Sequence, residues 1–242
     1  MASTTWHELS GRLTSALHLA HEPVAISFSE AVPSEVPAFD LPMSEPAGDG
    51  RTGRVPAGCV FWIHGAKSTF STVAEDHGNC SVGRYTHGLA SLEEVAGNGD
   101  VAALLGSGWV TPEAVGAIPA LSTRPGSITY GPLGETPSGV APTVVLLRVN
   151  GRQMMVLSDA LPSLSIQGKP QCHIVALAAE QHIPAASVGC ALSRARTGMT
   201  PEEMTVALPA ESLGEFVDAI ESTAAIDTVV ARYAAQDARR FN

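Results

Sequence analysis

The alternation of apolar and polar positions opens on a helix. Thr5-x-x-Glu8 has the form of a capping box, and Trp6, Leu9, Leu13 and Leu17 recur at the spacing that lines one helical face. Pro23-Val24-Ala25-Ile26-Ser27-Phe28 follows, a short apolar run rich in strand formers, and predicts a strand. From Ala31 to Pro56 the chain is dense in Pro, Gly, Ser and acidic residues, which predicts a long loop. Cys59 to about Glu75 reads as helical, with Cys59, Ile63 and Ala66 at helical spacing. A Gly78-Asn79 turn then leads into Cys80. Leu89 to Leu105 reads as two helical pieces broken at Gly97-Asn98-Gly99, and Thr111-Pro112-Glu113 opens another helix with proline at its first position. Leu121 to Pro137, which contains Tyr130-Gly131-Pro132-Leu133, reads as loop.

The second half begins with Thr143 to Val149, a continuous apolar run that predicts a buried strand. Asn150-Gly151 is a turn signal, Gln153 to Leu161 is helical or extended, and Cys172 to Gln181 is a helix ended by Pro184. Two further amphipathic stretches, Glu211 to Ile220 and about Ala225 to Arg239, follow. These elements predict an α/β fold, with α+β as the alternative, in one compact domain over residues 1–242.

One skeleton occurs twice. Cys80, Arg84 and Gly88 return as Cys190, Arg194 and Gly198 at a single shared offset, and each copy is preceded by another cysteine, Cys59 in the first case and Cys172 in the second. Acidic pairs follow both, Glu93-Glu94 and Glu202-Glu203. A duplicated unit explains this better than chance, with half-repeats of about 1–135 and 136–242 packed about a pseudo-twofold axis. All four cysteines of the chain would then meet at the centre. Gly78 and Gly83 in one half, and Gly189 and Gly198 in the other, supply places where backbone can approach a bulky group or turn with positive φ.

The segments Gly58-Cys59, Asn79-Cys80-x-x-Gly83, Tyr130-Gly131-Pro132-Leu133, Pro170-x-Cys172 and Gly189-Cys190-x-x-x-Arg194, in this order, resemble the uncharacterised DUF169 family over nearly the whole chain. The resemblance implies kinship of fold and a shared cysteine set. It implies no chemistry.

Composition narrows the function classes. With 24 acidic against 14 basic residues the net charge is -10, which repels a polyanion and argues against nucleic acid as a partner. No apolar run approaches the length of about 18 residues needed to cross a bilayer, and no basic-then-apolar leader precedes the first helix, so no membrane partner and a cytoplasmic location are expected. In a reducing compartment four cysteines serve as thiols or metal ligands rather than disulfides. Neither a Gly-x-Gly-x-x-Gly nor a Walker-type loop occurs, which removes the usual nucleotide fingerprints.

Four thiolates suit an iron-sulfur cluster or a tetrahedral zinc. The cysteines are dispersed, with no Cys-x-x-Cys pair, and zinc sites usually draw on such close pairs. The expectation is therefore a 4Fe-4S cluster on Cys59, Cys80, Cys172 and Cys190, with zinc ranked below it and plain buried or reactive thiols as the alternative. Gly83 and Gly189 would let backbone approach the cofactor. Arg84 and Arg194 would offset the cluster's charge or grip an anionic substrate, their bland role being ion pairs with the nearby glutamates. Histidines His77 and His87 flank Cys80, and His77 is the preferred catalytic residue because Glu75 and Asp76 precede it. The resulting function is a metal-binding protein, and an enzyme on a small anionic or sulfur-containing substrate, with an electron-transfer partner as the other option. A metal-free small-molecule binding or thiol redox-sensing module is the alternative reading.

Overall fold

A computed structural model describes residues 5–40 and 58–241; most of the loop expected before Cys59 lies outside them. In chain order the elements are α1 (Trp6–Leu17), β1 (Val24–Ser29), α2 (Cys59–Gly65), β2 (Phe70–Thr72), α3 (Ser81–Thr86), α4 (Leu92–Ala96), α5 (Gly99–Gly106), α6 (Pro112–Gly116), β3 (Ser127–Pro132), β4 (Val144–Val149), α7 (Gly151–Ala160), β5 (Ser165–Gln167), α8 (His173–Glu180), β6 (Ala185–Ser187), α9 (Ala191–Thr197), β7 (Met204–Pro209) and α10 (Leu213–Ala238). The fold is α/β, built on a seven-stranded mixed sheet of order β2-β3-β1-β4-β7-β6-β5.

Strand alternation divides the core into two layers. Along β4, Val145, Leu147 and Val149 face the cluster formed by α1, α7 and α10, while Val144 and Leu146 face the cluster that includes Phe61 and Trp62 of α2 and Ile174 and Val175 of α8. All five strand residues are at most 1% exposed. The continuous apolar run is what a strand covered on both faces requires. Each such side chain contributes roughly 1.5–3 kcal/mol of burial.

Pairing is matched on the two sides of the central β1–β4 ladder. That ladder is antiparallel, with Val24 opposite Leu146, Ala25 opposite Val145 and Ile26 opposite Val144; exchanging Val24 for Val144, Ala25 for Val145 and Ile26 for Leu146 returns the same three pairs. Outside it, Val24↔Pro132 through Ser29↔Ser127 is answered by Val144↔Pro209 through Val149↔Met204. Next, Phe70↔Tyr130 through Thr72↔Ile128 is answered by Ala185↔Ala207 through Ser187↔Thr205. The outermost contacts are parallel on both edges, Ala38 with Ser71 on one and Ile166 with Ala186 on the other. Among the described residues, α4, α5 and α6 separate α3 from β3, whereas a short turn separates α9 from β7.

Several local expectations are corrected. Cys59 to Glu75 is not one helix: α2 stops at Gly65, where a Cβ would lie 2.9 Å from Val24, and the chain re-enters the sheet as β2. Within the expected loop from Leu121, residues 127–132 are the wholly buried β3. Asn150-Gly151 is a helix start rather than a turn, because the Asn150 side chain accepts from the Gln153 amide at 3.0 Å and Gln153 accepts from the Asn150 amide at 2.7 Å. The last two amphipathic stretches form the single helix α10.

Candidate functional site

Each cysteine sits where a helix begins. Cys59 is the first residue of α2, and Cys80, Cys172 and Cys190 occupy the N-cap positions of α3, α8 and α9. The helices pack crosswise, α2 on α9 and α3 on α8, which brings the four starts together from both halves of the chain. All four cysteines line one cavity of about 530 Å³, its mouth included.

Polar neighbours favour three of the thiolates: Ser193 of α9 acts on Cys59 and Thr86 of α3 on Cys172, each from the other half of the chain, and the Gly83 main chain acts on Cys80 from within its own. A Cβ at Gly83 would stand 3.4 Å from the Cys80 Sγ. Burial dominates the acidity all the same. It pushes the Cys59 thiol up to about 12, against the pull of Ser193, and it raises Cys80 and, by more, Cys172. In the absence of a cation these three sulfurs stay protonated at neutral pH, and binding a metal must release their protons. Among the described residues no group of three or more His, Cys, Asp or Glu side chains is arranged to hold a single metal ion. One tetrahedral zinc, with Zn–S bonds near 2.3 Å, would need its sulfurs within roughly 4 Å of one another.

The arginines and His77 stand elsewhere. Arg194 donates to three main-chain carbonyls, those of Val188 (2.8 Å), Glu203 (2.7 Å) and Thr200, and so clamps both ends of α9 rather than lining the cavity. Gly189, at φ +118°, makes room for it: a Cβ there would lie 2.8 Å from the Arg194 guanidinium. Glu203, one of the acids considered for it, instead pairs its carboxylate with Arg148 at 2.7 Å. Arg84 is likewise absent from the cavity lining, and its charge is felt at His77. His77 is 2% exposed, its Nε2 lies 2.9 Å from the Thr72 hydroxyl, and its ring packs on Phe61 at 4.6 Å between centroids. Burial, then His87 and Arg84, hold this imidazole neutral. The preceding acid Asp76 accepts from the Val73 amide at 2.9 Å.

The other histidine flanking Cys80 in the sequence does reach the cysteines, with three residues the sequence did not single out. His87, Gln171, Ser193 and Arg196 line the cavity. His87 is 2% exposed; its Nδ1 lies 2.9 Å from the Gly83 carbonyl, and its Nε2 has no partner among the described residues. Gln171 is also 2% exposed; its Nε2 donates to the Ser193 hydroxyl at 2.6 Å and its Oε1 is without a partner among the described residues. Arg196 acts on both Cys59 and Cys80, favouring their thiolates. The Tyr130 hydroxyl, buried and equally unpartnered among the described residues, is close enough to Cys59 for the sulfur to disfavour its ionisation. Buried polar atoms are nearly always satisfied in folded proteins, so the two unpartnered acceptors on the cavity lining, His87 Nε2 and Gln171 Oε1, mark a place where a ligand or ordered water completes the bonding.

The segment between α3 and β3 closes one side. Trp109 and Leu104 line the cavity from there, and Asp100 fixes the segment to α3 by accepting from the Ser81 amide (3.0 Å) and hydroxyl (2.7 Å). No helix among the described residues is long and apolar enough to cross a membrane.

Comparison with known proteins gives one family: the model of DUF169, described as an uncharacterised ArCR, matches residues 12–219, which contain all four cysteines. No curated protein and no solved structure matches the chain.

Proposed function

The chain belongs to the DUF169 family, and we propose that Cys59, Cys80, Cys172 and Cys190 hold an iron-sulfur cluster, of the 4Fe-4S type, in a cytoplasmic enzyme acting on a small anionic or sulfur-containing substrate. The observation that carries this reading is the convergence of all four cysteines of the chain on one cavity, two from each side of the central β1–β4 ladder. A cluster binds its cysteines through different irons, and therefore suits four sulfurs that share a cavity without the close grouping a lone zinc requires. Gly83, Ser193 and Thr86, each of which favours the thiolate of one cysteine, together with Arg196, are of the kind that stabilise thiolate ligands and raise a cluster's potential. Such a cluster supplies electron transfer when all four cysteines ligate, or a Lewis-acidic iron when one position is open.

Anaerobic purification followed by a visible spectrum and counts of iron and acid-labile sulfide tests the reading. A broad absorbance near roughly 400 nm with about four irons per chain is expected. Replacing any one cysteine by serine is expected to lower bound iron by a similar large factor. A colourless chain that takes up no iron on reconstitution overturns it. The second reading, a metal-free binding or thiol-sensing module, is favoured by the strong elevation of the thiol pKa values. It predicts that the four serine variants behave independently of one another.

A further inference from the structure

The cavity presents acceptors that a cluster cannot satisfy. At 2.9 Å from the Gly83 carbonyl, which can only accept, His87 Nδ1 must carry the ring proton. Burial holds the imidazole neutral, pushing it down to about 4. Its Nε2 is then a bare lone pair, buried and without a partner among the described residues, on a side chain that lines the cavity. The amide of Gln171, another lining residue, donates through Nε2 to the Ser193 hydroxyl at 2.6 Å, which leaves Oε1 as a second unpaired acceptor among the described residues. Cluster sulfides and thiolates are acceptors too, and offer these atoms nothing. Arg196, half-exposed on the lining, adds a positive charge, and no ion pair of its guanidinium stands among those described.

We infer that the cysteine cavity takes a small carboxylate bearing hydrogen-bond donors, a hydroxy, mercapto or amino acid, whose donors meet His87 Nε2 and Gln171 Oε1 and whose carboxylate meets Arg196. This deepens the proposed function by naming the substrate class and the residues that select it, and it holds for a cavity with or without iron. Each unpaired acceptor left facing a ligand without a donor is costly, so selection works by rejecting the analogue that lacks the donor.

Glycine, whose ammonium has three donors and can meet both acceptors, glycolate, with one donor, and acetate, with none, distinguish the idea, because they share a carboxylate and differ in the donor. Binding is measured by calorimetry on the anaerobically purified chain, with iron counted on the same sample. Glycine is expected to bind at least about tenfold tighter than acetate. His87→Phe and Gln171→Leu are each expected to shrink that ratio severalfold, while Arg196→Gln weakens all three ligands alike and keeps the ratio. Two acceptor variants are used so that failure of one to fold leaves the other, with circular dichroism as the check. Equal binding of acetate and the donor-bearing acids, no binding of any of them, or a ratio unchanged in both acceptor variants overturns the inference. Because iron is counted separately, a selective chain without iron refutes only the cluster, and an iron-loaded chain without selectivity refutes only this assignment.

Discussion

The imidazole of His87 is held at one nitrogen and open at the other, and its neutrality has a consequence for stability. An unfolded chain protonates this ring below about pH 6.5, whereas the folded chain does so only near 4. The unfolded state therefore binds more protons in that window, and stability falls as pH drops through it, by up to about 3 kcal/mol from this residue. His77, also held neutral, adds to the loss in the same direction. Urea midpoints measured at pH 7, 5.5 and 4.5 are expected to decline steadily, and less steeply for His87→Gln. At the opposite end of the scale, Cys59 ionises near 9 when unfolded and near 12 when folded, so the metal-free chain is expected to lose stability as pH rises from 9 towards 12. Gly189→Ala tests the Arg194 clamp. A Cβ at φ +118° and 2.8 Å from the guanidinium is expected to cost roughly 1–3 kcal/mol, read from the same urea midpoints. The cysteine positions were legible in the sequence as a set, but the residues serving them were not. The repeated Cys-x-x-x-Arg drew attention to Arg84 and Arg194, yet the helical period puts Leu192, Ser193 and Arg196 on the cavity side, with Arg194 about 100° round from Ser193. Val82 and Gly83 of α3 take the places of Leu192 and Ser193, and His87, just past α3 and one residue beyond the counterpart of Arg196, completes that side of the lining.

Among the elements, α10 shows how burial varies along one helix. Leu213, Val217 and Ile220 are fully buried against α1 and α7, whereas Ile226, Val229, Val230 and Tyr233 in its later turns are all more than half exposed. Ile220→Ala is expected to destabilise by about 2–5 kcal/mol and Val229→Ala by no more than about 0.5 kcal/mol, a contrast checked by urea denaturation. The capped helices α1, α4 and α6 and the apolar helix α8 were readable from sequence, as were β1 and β4 with their apolar runs. β3 escaped because Gly131-Pro132 signals a turn, although here Pro132 ends a strand that is buried throughout. β6 is only Ala185-Ala186-Ser187, three small residues whose strand state comes from pairing with β7 rather than from their own preference. β7 was hidden by Pro201-Glu202-Glu203, which has the composition of a helix start but forms a turn beneath Arg194.

For the molecule as a whole, the matched ladders place the two cysteine-bearing helix pairs on one face of the sheet, α2 with α3 from one side and α8 with α9 from the other. Sequence could suggest this matched pairing only through Cys, Arg and Gly at one offset, because the strands themselves share almost no residues: β2 reads Phe-Ser-Thr where β6, in the matching place, reads Ala-Ala-Ser. Backbone register, unlike side-chain identity, is invisible in composition. Asymmetry enters through the α4–α6 segment, anchored at Ser81 by Asp100. Asp100→Ala is expected to loosen that cover and speed the reaction of the cavity thiols with a small alkylating agent severalfold, while changing the urea midpoint by only about 1–2 kcal/mol.

The central ladder also implies that the covalent link between β3 and β4 is dispensable. A chain cut between Pro137 and Thr143 would present two fragments whose β1 and β4 edges recognise each other in a self-consistent register, reinforced by the contact of α1 with α10. Each fragment would carry two of the four cysteines, so neither could build the complete sulfur set alone. On the proposed reading, colour and bound iron would then report reassembly, turning the cofactor into a gauge of whether two separately made halves have found one another.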